Sequence, residues 1–168
     1  SSFSFRMPLH AIAPAPKAEL PVASAADPAL AGMASLRVLV AEDHPVNRQY
    51  MAALLEGMGH RPFFAGNGLE AVQAIREPRF DILLMDLPTP LPDGVGATLS
   101  IRGLPDGVAA TVPIIALTAD AFAQTRERCL MAGMNDFLAK PVSPEKLSAM
   151  LRRLFGATGP ADLPVLAT

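Results

Sequence analysis

Four short apolar runs in this chain each end on side chains that could take part in chemistry. Carboxylates, a hydroxyl and a lysine together suit phosphoryl transfer, because they can hold a divalent cation, neutralise phosphate charge and supply a nucleophile. Taken singly, such a carboxylate could mark a strand end and such a lysine could be a solvated surface residue. The side chains are, in chain order, Glu42 and Asp43, then Asp86, then Thr118, and last Lys140.

Short apolar runs of this length favour buried strands, and segments with helical spacing separate them. The alternation predicts an α/β domain with a doubly wound, five-stranded parallel sheet and helices on both faces. The carboxyl ends of all strands then lie along one edge, where ligands bind in open sheets, so the reactive groups should share one pocket. The predicted strands are 36–41, 61–65, 80–85, 112–117 and 135–139, and the predicted helices are 45–58, 70–77, 95–101, 120–132 and one that begins at Pro144, with a turn-rich connection at 104–111.

The carboxylates in this pocket predict a metal site. Negative groups held close together repel one another, which raises their pKa values or requires a cation. Mg²⁺ or Mn²⁺ suits a set of oxygen ligands. Asp86 stands alone after its run and should face the pair Glu42 and Asp43, so we interpret it as a nucleophile that forms an aspartyl phosphate.

Composition excludes several other classes of protein. The 168 residues carry a formal net charge of −2, so no broad basic surface for nucleic acid is expected. The single cysteine, Cys129, excludes an intrachain disulfide and is expected in the core. No apolar stretch reaches membrane-spanning length, and no secretory signal is visible. We expect a cytoplasmic domain, whose parent protein could be anchored in a membrane.

The composition also divides the chain into an ordered domain and its flanks. Residues 1–9 alternate between apolar and polar and predict a short strand, and residues 10–34 form a linker rich in proline and alanine. Residues 35–156 form the ordered domain, and residues 157–168 read as a flexible tail. The chain begins with serine, which indicates a fragment or a processed protein.

From Leu36 to Phe155 the sequence resembles the receiver domain of two-component signalling. The matching segments are VLVAEDHPVNRQ, ILLMDLPTPLPDG, PIIALTADA and GMNDFLAKPVSPEKL. The resemblance implies a flavodoxin-like sheet with strand order 2-1-3-4-5. It also implies that a phosphohistidine passes its phosphoryl group to an aspartate of this domain.

The resemblance assigns a role to each acidic group. Asp86 matches the phosphoacceptor, and Glu42 and Asp43 match the acidic pair that holds Mg²⁺. The backbone carbonyl of Pro88 matches the third protein ligand. The sequence departs from the family in the loop 88–92, where three prolines stiffen the backbone. His44 stands where the family often has asparagine, and we expect it to face solvent without binding the metal.

Further roles implied by the resemblance concern the later strands. Thr118 matches the switch hydroxyl, and Lys140 matches the lysine that binds the phosphoryl group. Phe137 matches the aromatic side chain that rotates on phosphorylation. The peptide bond before Pro141 is cis in that family.

The implied partners are a kinase dimerisation and phosphotransfer domain that carries phosphohistidine, or a separate histidine phosphotransfer protein. The segment SSFSFRMPL resembles the last strand of the ATP-binding domain of histidine kinases, which would make the chain the receiver end of a hybrid histidine kinase. The chemistry would then be self-phosphorylation and self-dephosphorylation of the receiver. The proline-rich loop motivates an alternative, an interaction module that works without phosphorylation. A phosphatase acting on external substrates is a less favoured third class.

Overall fold

The computed structural model describes residues 34–77, 80–87, 94–105, 107–119 and 123–156. The predicted strand at 1–9, most of the linker, Pro88 with the rest of its loop, and the tail lie outside the described residues. Within the described part, strands and helices alternate along the chain. They are β1 (Arg37–Ala41), α1 (Pro45–Gly57), β2 (Arg61–Ala65), α2 (Gly68–Ala74), β3 (Ile82–Leu87), α3 (Gly94–Arg102), α4 (Gly107–Thr111), β4 (Ile114–Thr118), α5 (Ala123–Met131), β5 (Asp136–Ala139) and α6 (Pro144–Phe155).

The strands form one parallel sheet in the order β2-β1-β3-β4-β5, which confirms the predicted topology. Helices cover both faces of the sheet. Successive residues of a strand point to opposite faces, and because most of them are apolar, both faces must be shielded from water. Val38 and Val40 pack in a cluster with residues of α1 and α6, whereas Leu39 and Ala41 pack with residues of α2, α3 and α5. Among the described helices, none combines the length and apolar character that a membrane span requires.

Local sequence signals fix where several helices begin. The N-cap of α1 is His44, whose side chain accepts the backbone N–H of Val46, and Pro45 follows in the first turn. Ser143 caps α6 in the same way, with Pro144 next. A side-chain acceptor at the N-cap satisfies a backbone donor that has no partner within the helix.

The structure moves the boundaries of some predicted elements. Strand β3 runs from Ile82 to Leu87, so Asp86 lies inside the strand, because its ladder with β4 continues past Met85. Helix α2 begins at Gly68, earlier than predicted, since the Asn67 side chain accepts the backbone N–H of Glu70 and caps it there. The connection at 104–111 contains the short helix α4. Because glycine and threonine are weak helix formers, the sequence pattern did not predict a helix there.

One buried histidine lies at the amino-terminal edge of the sheet, opposite the strand carboxyl ends. His60 is 4% exposed, and its Nδ1 accepts the backbone N–H of Leu36 at 3.3 Å. Its Nε2 has no hydrogen-bond partner among the described residues. Burial lowers the pKa of His60, although the negative charge of Asp81 partly offsets this effect. The imidazole is therefore held in its neutral form.

This arrangement predicts a loss of stability in mild acid. The folded-state pKa of His60 lies below its ordinary value of 6.5, so the unfolded chain binds the proton more readily. Stability contributed by neutral His60 is therefore lost as the pH falls through and below that value. His60→Asn keeps an acceptor near the Nδ1 position and cannot titrate. Between about pH 7.5 and about pH 5, urea unfolding should show a larger loss for wild type than for His60→Asn, and parallel profiles would contradict the prediction.

Candidate functional site

Carboxylates from two neighbouring strands meet at the carboxyl edge of the sheet. Glu42 and Asp43 follow β1 directly, and Asp86 is the penultimate residue of the adjacent β3. One oxygen of each of these three side chains lies within 4.8 Å of the others. Glu42 is 1% exposed and Asp86 3% exposed, whereas Asp43 is exposed to solvent. The group is thus a half-open acidic pocket, as the sequence predicts.

Lys140 joins the two buried carboxylates. Its Nζ lies 2.6 Å from Oδ2 of Asp86 and 2.9 Å from Oε2 of Glu42. The residue follows β5 directly, and its backbone N–H donates to the carbonyl of Thr118 at 2.7 Å, which continues the β4–β5 pairing by one step. The peptide bond between Lys140 and Pro141 is cis. Backbone pairing thus places the amine opposite the acidic pair.

The pKa values of these groups show how the charges interact. Burial raises the pKa of Asp86 to about 6; Lys140 opposes that rise and Glu42 adds to it. Burial also acts to raise the pKa of Glu42, but hydrogen bonds from Lys140, Asn47 and the backbone of His44 outweigh it, so this pKa is lowered. For Lys140, burial acts to lower the pKa, and the two carboxylates more than reverse that effect and raise it. Above about pH 6 the pocket holds both buried carboxylates ionised around one ammonium.

The donor set fits a divalent cation. Three carboxylates beside a single ammonium leave about two negative charges uncompensated when all are ionised. All three offer oxygen atoms, which are the ligands that Mg²⁺ prefers. Glu42, Asp43 and Asp86 are therefore the side chains that would hold the ion. The carbonyl of Pro88 lies outside the described residues.

Thr118 and Phe137 lie on the two strands that follow β3 in the sheet order. Thr118 ends β4, is buried, and pairs in the sheet with Leu87, the residue after Asp86. Phe137 lies on β5 and is partly buried. The guanidinium of Arg126, from α5, stands 5.5 Å from the centre of the Phe137 ring, within range of a cation–π contact. Thr118 thus lies next to the end of β3, and Phe137 contacts a residue of α5.

Helix α3 begins unusually close to the end of β3. A Cβ atom at Gly94 would lie 2.3 Å from the Leu87 side chain and 3.1 Å from the backbone oxygen of Asp86. Contacts of this length would force the Leu87 side chain to move and crowd the strand backbone, so glycine suits the start of the helix against the strand end.

His44 and Asn47 lie at the start of α1, close in sequence to the acidic pair. His44 is exposed and caps α1, in agreement with the expectation that it faces solvent. The sequence pattern gave no role to Asn47, yet its side-chain amide donates to Oε1 of Glu42 at 3.0 Å. Its place in the first turn after the acidic pair is a signal that could have indicated this contact.

The raised pKa of Asp86 predicts that neutralising this residue stabilises the protein. Because the folded-state pKa of about 6 lies above the ordinary value of 3.8, stability falls as the pH rises between these values. Without divalent cations, Asp86→Asn should therefore be more stable than wild type at about pH 7.5 by about 1–3 kcal/mol. The difference should shrink towards zero at about pH 4. Urea unfolding at both pH values measures it, and a variant less stable than wild type at neutral pH would show that the Lys140 ion pair outweighs the burial cost.

Comparison with known proteins gives relatives of one kind. The model of the response regulator receiver domain matches residues 38–152. The signal transduction histidine-protein kinase BarA of Escherichia coli is 37% identical over 125 residues, which are 74% of this chain and 13% of the kinase. The sensor protein GacS of Pseudomonas syringae is also 37% identical, over 121 residues that make up 71% of this chain and 13% of the sensor. The chain therefore spans about an eighth of the curated relatives it matches.

Solved structures show the same relationship. The receiver domain of a Pseudomonas aeruginosa sensor histidine kinase, crystallised with magnesium coordinated in its active-site cleft, is 42% identical with a TM-score of 0.67, covering 74% of this chain and 100% of that one. The receiver of the Saccharomyces cerevisiae response regulator Ssk1, crystallised with the histidine phosphotransfer protein Ypd1, is 30% identical with a TM-score of 0.65, covering 71% and 88%. Together with the match to the family model over more than half of its length, these findings show that the chain belongs to the response regulator receiver domain family of two-component signalling.

Proposed function

We propose that this domain accepts a phosphoryl group on Asp86 from a phosphohistidine and changes conformation in response. The observation that carries the proposal is the contact between buried Asp86 and Lys140, with two further carboxylates within 4.8 Å. A structural ion pair would need only one acid, whereas a phosphoacceptor needs a nucleophile, a cation site and a group for the phosphoryl oxygens.

In the proposed reaction an ionised oxygen of Asp86 attacks the phosphorus, and an oxygen–phosphorus bond forms as the phosphorus–nitrogen bond of the donor breaks. The donor imidazole keeps the electron pair of that bond and takes a proton from solvent. Lys140 leaves the Asp86 carboxylate and contacts a phosphoryl oxygen. A divalent cation held by Glu42, Asp43 and Asp86 supplies charge neutralisation when bound.

We assign the conformational response to Thr118, at the end of β4, and to Phe137 on β5. In the phosphorylated state the hydroxyl of Thr118 gains a phosphoryl oxygen as acceptor, a contact that exists in that state alone. A contact made in one of two states shifts the equilibrium between them. Movement of Thr118 allows Phe137 to turn, which changes its stacking with Arg126 at the α5 side.

The relatives support a proposal for the parent protein and for the partner. Both curated relatives described above are histidine kinases or sensors of which the receiver is a small part. We therefore propose that this chain is the receiver of a hybrid histidine kinase. A histidine phosphotransfer protein is the corresponding partner, because such a protein was crystallised with the related yeast receiver. Transfer of label between this domain and a phosphorylated phosphotransfer protein, with Asp86→Asn as the control, tests that partner.

Small-molecule phosphodonors test the phosphoacceptor directly. With Mg²⁺ and acetyl phosphate, the wild-type domain should gain one phosphoryl group by intact mass, and beryllofluoride should shift its amide NMR spectrum. Asp86→Ala should lose both responses, because it lacks the nucleophile. Glu56→Gln, which neutralises an exposed acid of α1, is the matched control and should behave as wild type. If neither reagent nor millimolar Mg²⁺ changes the mass or the amide NMR spectrum of the wild type, an interaction module that works without phosphorylation becomes the better description.

The switch role of Thr118 has its own test. Thr118→Val keeps the size of the side chain and removes its hydroxyl. The variant should still accept a phosphoryl group from acetyl phosphate, because Asp86 and Lys140 remain. Its Phe137 ring signals should stay at their unphosphorylated positions in NMR spectra recorded with beryllofluoride, whereas those of wild type move. If the Phe137 ring signals shift equally in both proteins, Thr118 is not part of the switch.

A further inference from the structure

The Glu42 carboxylate is held from two sides by different donors. Its Oε1 accepts from the side-chain Nδ2 of Asn47 and from the backbone N–H of His44, each at 3.0 Å. Its Oε2 accepts from Nζ of Lys140 at 2.9 Å. The two oxygens are thus divided between the start of α1 and the pocket, and Glu42 itself is almost completely buried.

The place of Asn47 in its helix explains the first of these contacts. His44 is the N-cap of α1, so Asn47 is the third helical residue. In a capping box the side chain at this third position reaches back to the N-cap backbone N–H. Here the carboxylate of Glu42, arriving from β1, accepts that N–H, and the amide of Asn47 donates to the same oxygen. The positive end of the helix dipole also favours an anion at this point.

We propose that Asn47 is a positioning residue for the cation pocket. Glutamate has one more rotatable bond than aspartate, so a buried glutamate without fixed partners would populate several orientations. Asn47 and the backbone N–H of His44 together hold Oε1 at the start of α1, which directs Oε2 of Glu42 towards Lys140. The orientation of Glu42 in turn sets where the ammonium stands relative to Asp86, since Lys140 contacts both carboxylates.

Asn47 is exposed, so core packing does not explain an asparagine at this position. The residue as a whole is exposed, and asparagine is a weak helix former, so neither burial nor helix propensity accounts for it at this position. Within the described part of the chain, its side chain forms a hydrogen bond to Glu42. Outer partners that orient the ligands of a metal typically contribute about 10–100-fold to its affinity. The inference deepens the proposed function and rests on it for the identity of the bound ion.

Replacing Asn47 by alanine tests the proposal by metal affinity. Asn47→Ala should bind Mg²⁺ about tenfold more weakly than wild type in a titration followed by NMR. Thermal unfolding of its metal-free form should stay close to that of wild type. Gln49→Ala is the matched control, because it removes an exposed amide from the same helix and should leave the affinity unchanged. An affinity of Asn47→Ala within about twofold of wild type would overturn the proposal.

A measurement without metal distinguishes this inference from the proposed function. In the metal-free protein, the ε-methylene NMR signals of Lys140 should shift in Asn47→Ala and stay in place in Gln49→Ala, because only the former removes one of the two donors that hold Oε1 of Glu42. Unchanged Lys140 signals would overturn the positioning role even if Mg²⁺ binds. If the wild type does not bind Mg²⁺ but the Lys140 signals shift, the proposed function fails and the positioning of Glu42 by Asn47 stands.

A wild-type observation covers the case in which Asn47→Ala does not fold. The side-chain amide signals of Asn47 should shift during a Mg²⁺ titration with the same midpoint as the backbone amide of Asp86, because Glu42 links the amide to the pocket. Amide signals that do not move while those of Asp86 do would count against the proposal.

Discussion

One ammonium group shared by two buried carboxylates is the contact on which the carboxyl edge of this sheet depends. Lys140 lies within hydrogen-bonding distance of both Asp86 and Glu42, which are almost fully removed from water. Without the positive charge of Lys140, burial and mutual repulsion would prevent Asp86 and Glu42 from both remaining ionised. The compensation is nevertheless incomplete, since Asp43 adds a third carboxylate. A pair built only for stability would be neutral, whereas this pocket keeps an excess of negative charge.

The sheet topology creates the space for this contact. Strands β1 and β3 are neighbours, yet the helices that follow them pack on opposite faces: residues of α1 belong to the cluster with Val40, and residues of α3 to the cluster with Met85. The chain therefore leaves the two strand ends in opposite directions and opens a crevice between them. Glu42 and Asp43 enter it from one side and Asp86 from the other, so the site is a consequence of strand order.

The apolar runs made the fold and most of the pocket predictable from sequence. Buried parallel strands must be apolar on both faces, and a charged residue at the end of such a run, as at Asp86 or Lys140, is conspicuous against them. Contacts that depend on side-chain orientation left no such signal. The amide of Asn47 resembles any polar residue of an exposed helix turn until Glu42 is seen to point towards it. The close approach at Gly94 likewise depends on how α3 meets β3 in space.

The charges at this edge couple its two proposed ligands. A phosphoryl group on Asp86 would replace one carboxylate charge with nearly two phosphate charges, in a pocket that is already negative. A divalent cation would offset this increase, so we expect the phosphorylated pocket to bind the cation more tightly than the unmodified pocket does. The Lys140 ammonium can either bridge Glu42 and Asp86 or contact a phosphoryl oxygen. Its position between the two carboxylates is the one that suits the bridge. The contact between Lys140 and Asp86 in the unmodified pocket is therefore the one that the proposed phosphorylation would have to break, and its loss would make the two states structurally distinct.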